Sequence, residues 1–81
     1  MNAKEAREKS LWNTINDVVR EEIMYQVEIG FTELICYNSK DNGLYQCLCE
    51  DKEYLKELGY KFEGKKIDNN GETDYIITLK W

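Results

Sequence analysis

The fold of this chain is decided by residues 60–81, YKFEGKKIDNNGETDYIITLKW. Two runs in which apolar and polar residues alternate flank the pair Asn70-Gly71. This arrangement is the strongest short-range signal of a β-hairpin, because a type I′ turn needs positive φ at both central residues. With Asn70-Gly71 at the turn centre, the predicted cross-strand pairs are Tyr60 with Trp81, Phe62 with Leu79, Gly64 with Ile77, and Lys66 with Tyr75. A three-residue turn would instead set Phe62 against Thr78 and mix the two faces of the sheet.

The N-terminal part of the chain predicts one long helix over residues 3–29, followed by a stop at Gly30. Apolar side chains recur there every four residues and form a continuous ridge. The ridge consists of Leu11, Ile15, Val19, Ile23 and Val27. At 1.5 Å per residue such a helix is ~40 Å long, whereas strands of about eight residues span only ~27 Å. We therefore expect the helix to extend beyond its own sheet.

The same helix carries more apolar surface than one sheet could cover. Trp12, Val18 and Met24 cannot all face the sheet together with the four-residue ridge, and wide exposed apolar surface usually marks an interface. We therefore predict a homo-oligomer, in which the interface residues are Leu11, Trp12, Val18 and Met24.

The remaining segments complete a single α+β domain over residues 1–81. Residues 31–37 form a predicted strand, residues 42–58 a predicted helix, and residues 60–68 and 73–81 the hairpin strands. Within the second helix, residues 44–49 also alternate in a way that is compatible with a strand. The order αβαββ predicts a three-stranded mixed sheet of strand order 1-3-2, with the first two strands parallel. Both helices should pack on one face of the sheet, which carries Tyr75, Ile77, Leu79 and Trp81.

Composition limits the classes of partner. The chain of 81 residues has a formal net charge of −5 and a sequence pI near 4.7, so it lacks the basic surface that binding to a phosphate backbone requires. No stretch approaches the ~20 apolar residues of a membrane span, and the charged N-terminus has no signal-peptide core. We therefore expect a cytoplasmic protein with neither a membrane nor a nucleic acid as a direct partner.

The residues that usually carry catalysis or bind metal are scarce. There is no histidine, and the three cysteines are fewer than the four ligands of a zinc site. Adjacent carboxylates on a helix, such as Glu21-Glu22, point ~100° apart and do not converge on one ion. The cysteines Cys36, Cys47 and Cys49 are better interpreted as small apolar residues. We predict no enzymatic activity, no metal and no cofactor.

Aromatic residues are more plentiful than a small core needs. An arginine beside an aromatic ring would suit a ligand that carries both a base and a phosphate. The candidate binding residues are therefore Arg7, Trp12, Arg20, Tyr25 and Tyr45. The alternative interpretation, which the helical spacing favours, is aromatic packing at an oligomer interface.

Three segments together resemble a group of short proteins encoded by phages and prophages. They are residues 3–7 (AKEAR), residues 54–61 (YLKELGYK) and residues 75–81 (YIITLKW). The group has no assigned activity, so the resemblance transfers no functional residues. It implies a non-enzymatic viral binding protein in the host cytoplasm, and an inhibitor of host antiviral defence that binds a defence protein or sequesters a nucleotide signal. The alternative is a structural or accessory subunit of the virion.

Overall fold

The computed structural model describes residues 2–81. Helix α1 (Ala3–Thr14) and helix α2 (Asp17–Glu28) precede strand β1 (Glu33–Tyr37). Helix α3 (Asn42–Glu50) and helix α4 (Lys52–Glu57) follow, and strands β2 (Lys61–Asn69) and β3 (Glu72–Lys80) close the chain. Residues 44–49 are thus helical. No helix in residues 2–81 has the length and apolar character needed to cross a membrane.

The C-terminal hairpin has the predicted turn and register. Asn70 and Gly71 have φ values of 53° and 81°, which a type I′ turn requires. Phe62 lies opposite Leu79, Gly64 opposite Ile77, and Lys66 opposite Tyr75. Beyond the last pair of the ladder, the rings of Tyr60 and Trp81 meet edge to face, with their centroids 6.0 Å apart.

The sheet has the predicted strand order, β1-β3-β2. Strands β1 and β2 are both antiparallel to β3 and therefore run parallel to each other. Because β3 lies between them, every hydrogen-bonded pair is antiparallel. The sheet is an antiparallel sheet and not the mixed one that was expected.

The core lies between one face of the sheet and the helices. Ile77 and Leu79 of β3 are buried there, next to Leu34 and Cys36 of β1. The helices contribute Ile15, Val19, Ile23, Leu44, Leu48 and Leu55. The predicted inner face is therefore correct at its centre. At the two ends of this face, Tyr75 and Trp81 stay 45% and 38% exposed and do not belong to the buried cluster.

The predicted long helix is wrong in one respect: it is interrupted. Ile15 has an extended conformation with ψ of 144°, and α2 starts only at Asp17. The backbone N–H of Asn16 donates to a carboxylate oxygen of Asp51 at 2.8 Å and not to a helical carbonyl. The argument from a continuous 40 Å helix therefore does not hold.

The second predicted helix, residues 42–58, is also divided, with Asp51 at the junction of α3 and α4. The first strand starts at Glu33 and not at residue 31. Gly30 has φ of 90°, and the N–H of Phe31 donates back to the carbonyl of Gln26 at 2.9 Å. Phe31 therefore belongs to the C-terminal cap of α2.

Candidate docking surface

The C-terminal half of α2 carries a group of large apolar side chains that the core does not use. Val19 and Ile23 point inward and are buried. Around the rest of the helix, and along the chain into β1, further apolar side chains are exposed. They are Met24, Tyr25, Val27, Ile29, Phe31 and Ile35, and we call this set the α2–β1 surface. Of these, Phe31 and Ile35 line one cleft, and exposed apolar groups that lie together are typical of an interaction site.

A cleft lies at the edge of β1 within this surface. It is lined by Gln26 from α2 and by Phe31, Glu33 and Ile35. Phe31 is 58% exposed, because the cap of α2 turns the chain sharply just before the strand. Ile35 is 48% exposed, because strand alternation sends its neighbours Leu34 and Cys36 into the core. Local geometry thus places both apolar groups in solvent.

The predicted binding residues do not converge on one site. Arg7 of α1 pairs with Glu57 of α4 at 3.5 Å. Arg20 pairs with Asp17, and its Nη1 also reaches the carbonyls of Trp12 and Asn13 at 3.5 and 3.4 Å, where a cation compensates the negative C-terminal end of α1. Both arginines therefore have structural partners on the helices.

The aromatic members of that prediction also separate. Trp12 and Tyr45 are partly buried against the core, whereas Tyr25 is 56% exposed. Among residues 2–81, the cations that lie over aromatic rings are Lys40 over Tyr37 and Lys52 over Phe62. No arginine lies over an aromatic ring in this part of the chain, although Arg20 reaches the backbone carbonyl of Trp12. Of the predicted binding residues, Tyr25 is the one that belongs to the α2–β1 surface.

The predicted interface residues divide in the same way. Val18 and Met24 are exposed, whereas Leu11 is half-buried and Trp12 packs against the core. Val27, assigned to the core ridge, is exposed instead. Sequence reasoning did not assign Ile29, Phe31 or Ile35 to an interface, although Ile29 and Phe31 flank Gly30 directly and only Thr32 and Glu33 separate Phe31 from the apolar residues of the strand.

A hydroxyl and a carboxylate meet at the other end of β1. Ser39 donates its hydroxyl and its backbone N–H to Asp74, at 2.6 and 3.0 Å. These bonds hold the pKa of Asp74 below its ordinary value. A carboxylate with a lowered pKa is a weaker base, so this contact is suited to fastening the turn after β1 to β3.

The cysteines do not assemble into a site in the described part of the chain, residues 2–81, and no three potential metal ligands gather there. Cys36 is buried, and Cys49 is exposed. The Cys36 thiol donates to the carbonyl of Asp41 at 3.6 Å. Burial, followed by the charge of Asp41, raises the pKa of this thiol from 9.0 to about 11, which makes it a poor nucleophile at neutral pH.

Comparison with protein-family models, curated proteins and solved structures finds no match to this chain.

Proposed function

We propose that this protein acts by binding, as a self-associating protein whose interface is the α2–β1 surface. The observation that carries the proposal is the exposure of Phe31 and Ile35 beside the apolar end of α2. Fully burying one such side chain stabilises a complex by about 1.5–3 kcal/mol. Burial of several of them would offset part of the free-energy cost of association.

The charge of the protein supports a protein partner over a nucleic acid. The net charge is −5, and the two arginines are engaged by Glu57 and by Asp17. The cleft within the α2–β1 surface is lined by one charged residue, Glu33, beside Gln26, Phe31 and Ile35, and a low density of charge suits the core of an interface between proteins.

Sedimentation equilibrium on the purified chain, over a range from about one to several hundred micromolar, tests this proposal. We expect a reversible shift from monomer to a larger species, because apolar burial at this surface gives a concentration-dependent equilibrium. A mass that stays monomeric over the whole range would overturn the proposal.

The resemblance to short phage proteins is the support for a role in infection, and we propose inhibition of a host antiviral defence as that role. One version of this proposal is that the protein sequesters a nucleotide signal. A thermal-shift series against cyclic dinucleotides, cyclic trinucleotides and ADP-ribose derivatives tests that version. A ligand at a hundred times its dissociation constant adds about 2.7 kcal/mol of stability. An unfolding temperature that does not change with any of these ligands at millimolar concentration would overturn the nucleotide-sequestering version of the proposal.

A further inference from the structure

The outer edge of β1 has free backbone hydrogen-bonding groups. Trp81 donates its N–H to the carbonyl of Thr32 at 3.0 Å, and Asn38 donates to the carbonyl of Tyr75 at 2.9 Å. In an antiparallel pair these bonds recur at every second residue. The backbone N–H and carbonyl groups of the even-numbered residues of β1 are therefore directed to β3. The backbone groups directed to the open edge belong to Glu33, Ile35 and Tyr37.

Within residues 2–81, those groups have few partners. The carbonyl of Tyr37 accepts from the N–H groups of Lys40 and Asp41, at 3.1 and 2.9 Å. The N–H and carbonyl of Ile35 have no backbone partner in the described chain. An unpaired edge of this kind is a template for another strand.

The two edges of the sheet differ in how they are protected. Strand β2 carries Lys61, Lys65 and Lys66, and lysines on an edge strand discourage pairing with another chain. Strand β1 has the sequence ELICY and carries a single charge, at Glu33. The β1 edge therefore lacks the protection that the β2 edge has.

We infer that β1 pairs antiparallel with β1 of a second copy of this chain, about a two-fold axis at Ile35. This pairing joins the two three-stranded sheets into one continuous sheet. This inference rests on the proposed function and names the partner of the same surface. In this register the Ile35 N–H of each copy donates to the Ile35 carbonyl of the other. The N–H of Tyr37 donates to the free carbonyl of Glu33 in the second copy.

Side-chain charge fits the same register. Glu33 lies opposite Tyr37 of the second copy, on the sheet face away from the core. The ammonium nitrogen of Lys40 lies 4.7 Å from the centre of the Tyr37 ring. The two-fold axis therefore brings each Glu33 carboxylate near a Lys40 ammonium group. This match of opposite charges at both ends favours a second copy over an unrelated strand.

The helices agree with this arrangement. Helix α2 packs against β1 and α3, whereas α4 packs against β2. Because α2 lies at the β1 side of the helical layer, pairing of the edges brings two α2–β1 surfaces together. Ile35 of each copy would then lie beside its counterpart on the outer face of the joined sheet, and Phe31 would lie at the new strand junction, so both would lose part of their exposure to water.

Proline at position 35 tests the pairing. Ile35→Pro removes an edge N–H that makes no bond to β3, so the intrachain ladder is retained. We expect the dissociation constant of the dimer to rise roughly tenfold or more, because two intermolecular bonds are lost. Lys66→Pro, on the protected edge, is the matched control and should leave the dimer unchanged. Circular dichroism reports whether each variant is folded.

A cross-link gives an independent readout. In an antiparallel hydrogen-bonded pair the Cα atoms are about 5.5 Å apart, which is within the range of a disulfide. In a Cys49→Ser background, Ile35→Cys should form a covalent dimer on mild oxidation, and Lys66→Cys should not. A wild-type dimer that survives Ile35→Pro and gives no cross-link would overturn this inference and leave self-association intact. A wild-type monomer would overturn both.

Discussion

Asp51 and Asn16 are joined by two hydrogen bonds to one carboxylate oxygen. Asp51 Oδ2 accepts from the backbone N–H of Asn16 at 2.8 Å and from its side-chain amide at 2.9 Å. Asp51 is only 4% exposed and lies between α3 and α4, whereas Asn16 lies between α1 and α2. One contact therefore fixes both helix breaks and sets the first pair of helices against the second.

Asp51→Ala should lower the free energy of unfolding by roughly 2–4 kcal/mol, because it leaves the backbone N–H of Asn16 without an acceptor and leaves the side-chain amide of Asn16 only its 3.5 Å contact with Glu50. Asp51→Asn keeps an oxygen acceptor and should cost less. Glu53 of α4, which is exposed, provides the control, and Glu53→Ala should change stability by no more than about 0.5 kcal/mol. Urea unfolding followed by circular dichroism measures all three variants. Equal stabilities of Asp51→Ala and Glu53→Ala would show that other contacts hold the break.

Substitutions on the inner face of β3 should lower the free energy of unfolding by very different amounts, depending on how deeply the side chain is buried. Leu79 is completely buried, whereas Tyr75 on the same face is 45% exposed. Leu79→Ala should cost about 2–5 kcal/mol, because it leaves a cavity in the core. Tyr75→Ala should cost well under half of that. Similar losses for both variants in urea titrations would mean that the core extends to the hairpin end of the sheet.

The hairpin offers a matched pair of glycines, Gly71 in its turn and Gly64 within β2. Gly71 has φ of 81°, whereas the φ of Gly64 lies outside the left-handed region and its surroundings leave room for a Cβ atom. Gly71→Ala should destabilise by about 1–2 kcal/mol, because an L-residue resists positive φ. Gly64→Ala should be neutral or stabilising by about 0.4–1 kcal/mol. Thermal unfolding of the two variants compares them directly, and a tolerated Gly71→Ala would contradict the type I′ turn.

The hairpin could be predicted from sequence because its signals are local. Asn70-Gly71 and the alternation on either side specify turn, register and faces together. The helix break could not be predicted, because Ile15 continues the four-residue ridge and Asn16 is no strong helix breaker. The group that interrupts the helix is Asp51, which is distant in sequence and adjacent only in the folded chain.

The candidate surface was predicted only in part, for a related reason. Helical periodicity identified excess apolar surface on residues 17–29, and Val18 and Met24 are indeed exposed. Periodicity within a helix carries no information about a neighbouring strand. The contribution of Phe31 and Ile35 depends on the turn at Gly30 and on which edge of the sheet β1 occupies.

The buried thiol predicts a pH dependence. Burial and the nearby charge of Asp41 raise the pKa of Cys36 from 9.0 to about 11. The folded state therefore holds this proton more tightly than the unfolded state, and its contribution to stability is complete below pH 9. The contribution is lost as the pH rises from about 9 towards 11.

Urea titrations across that pH range, on wild type and on Cys36→Ala, isolate this effect, since the variant lacks the titrating group. We expect the wild-type free energy of unfolding to fall more steeply with pH than that of the variant. Parallel pH profiles would show that the Cys36 thiolate is tolerated in the folded state.

Phe31 separates association from stability. Its side chain is 58% exposed at the α2–β1 surface, so Phe31→Ser removes apolar area from the proposed interface and little from the core. The dimer dissociation constant should rise about tenfold or more, since 1.4 kcal/mol of lost burial is a factor of ten. The free energy of unfolding, measured on the dilute monomer, should change by no more than about 0.5 kcal/mol. Tyr54 on α4 is 40% exposed and lies outside the surface, so Tyr54→Ser is the control in the same sedimentation experiment. If Tyr54→Ser weakens association as much as Phe31→Ser does, the interface lies elsewhere on the molecule.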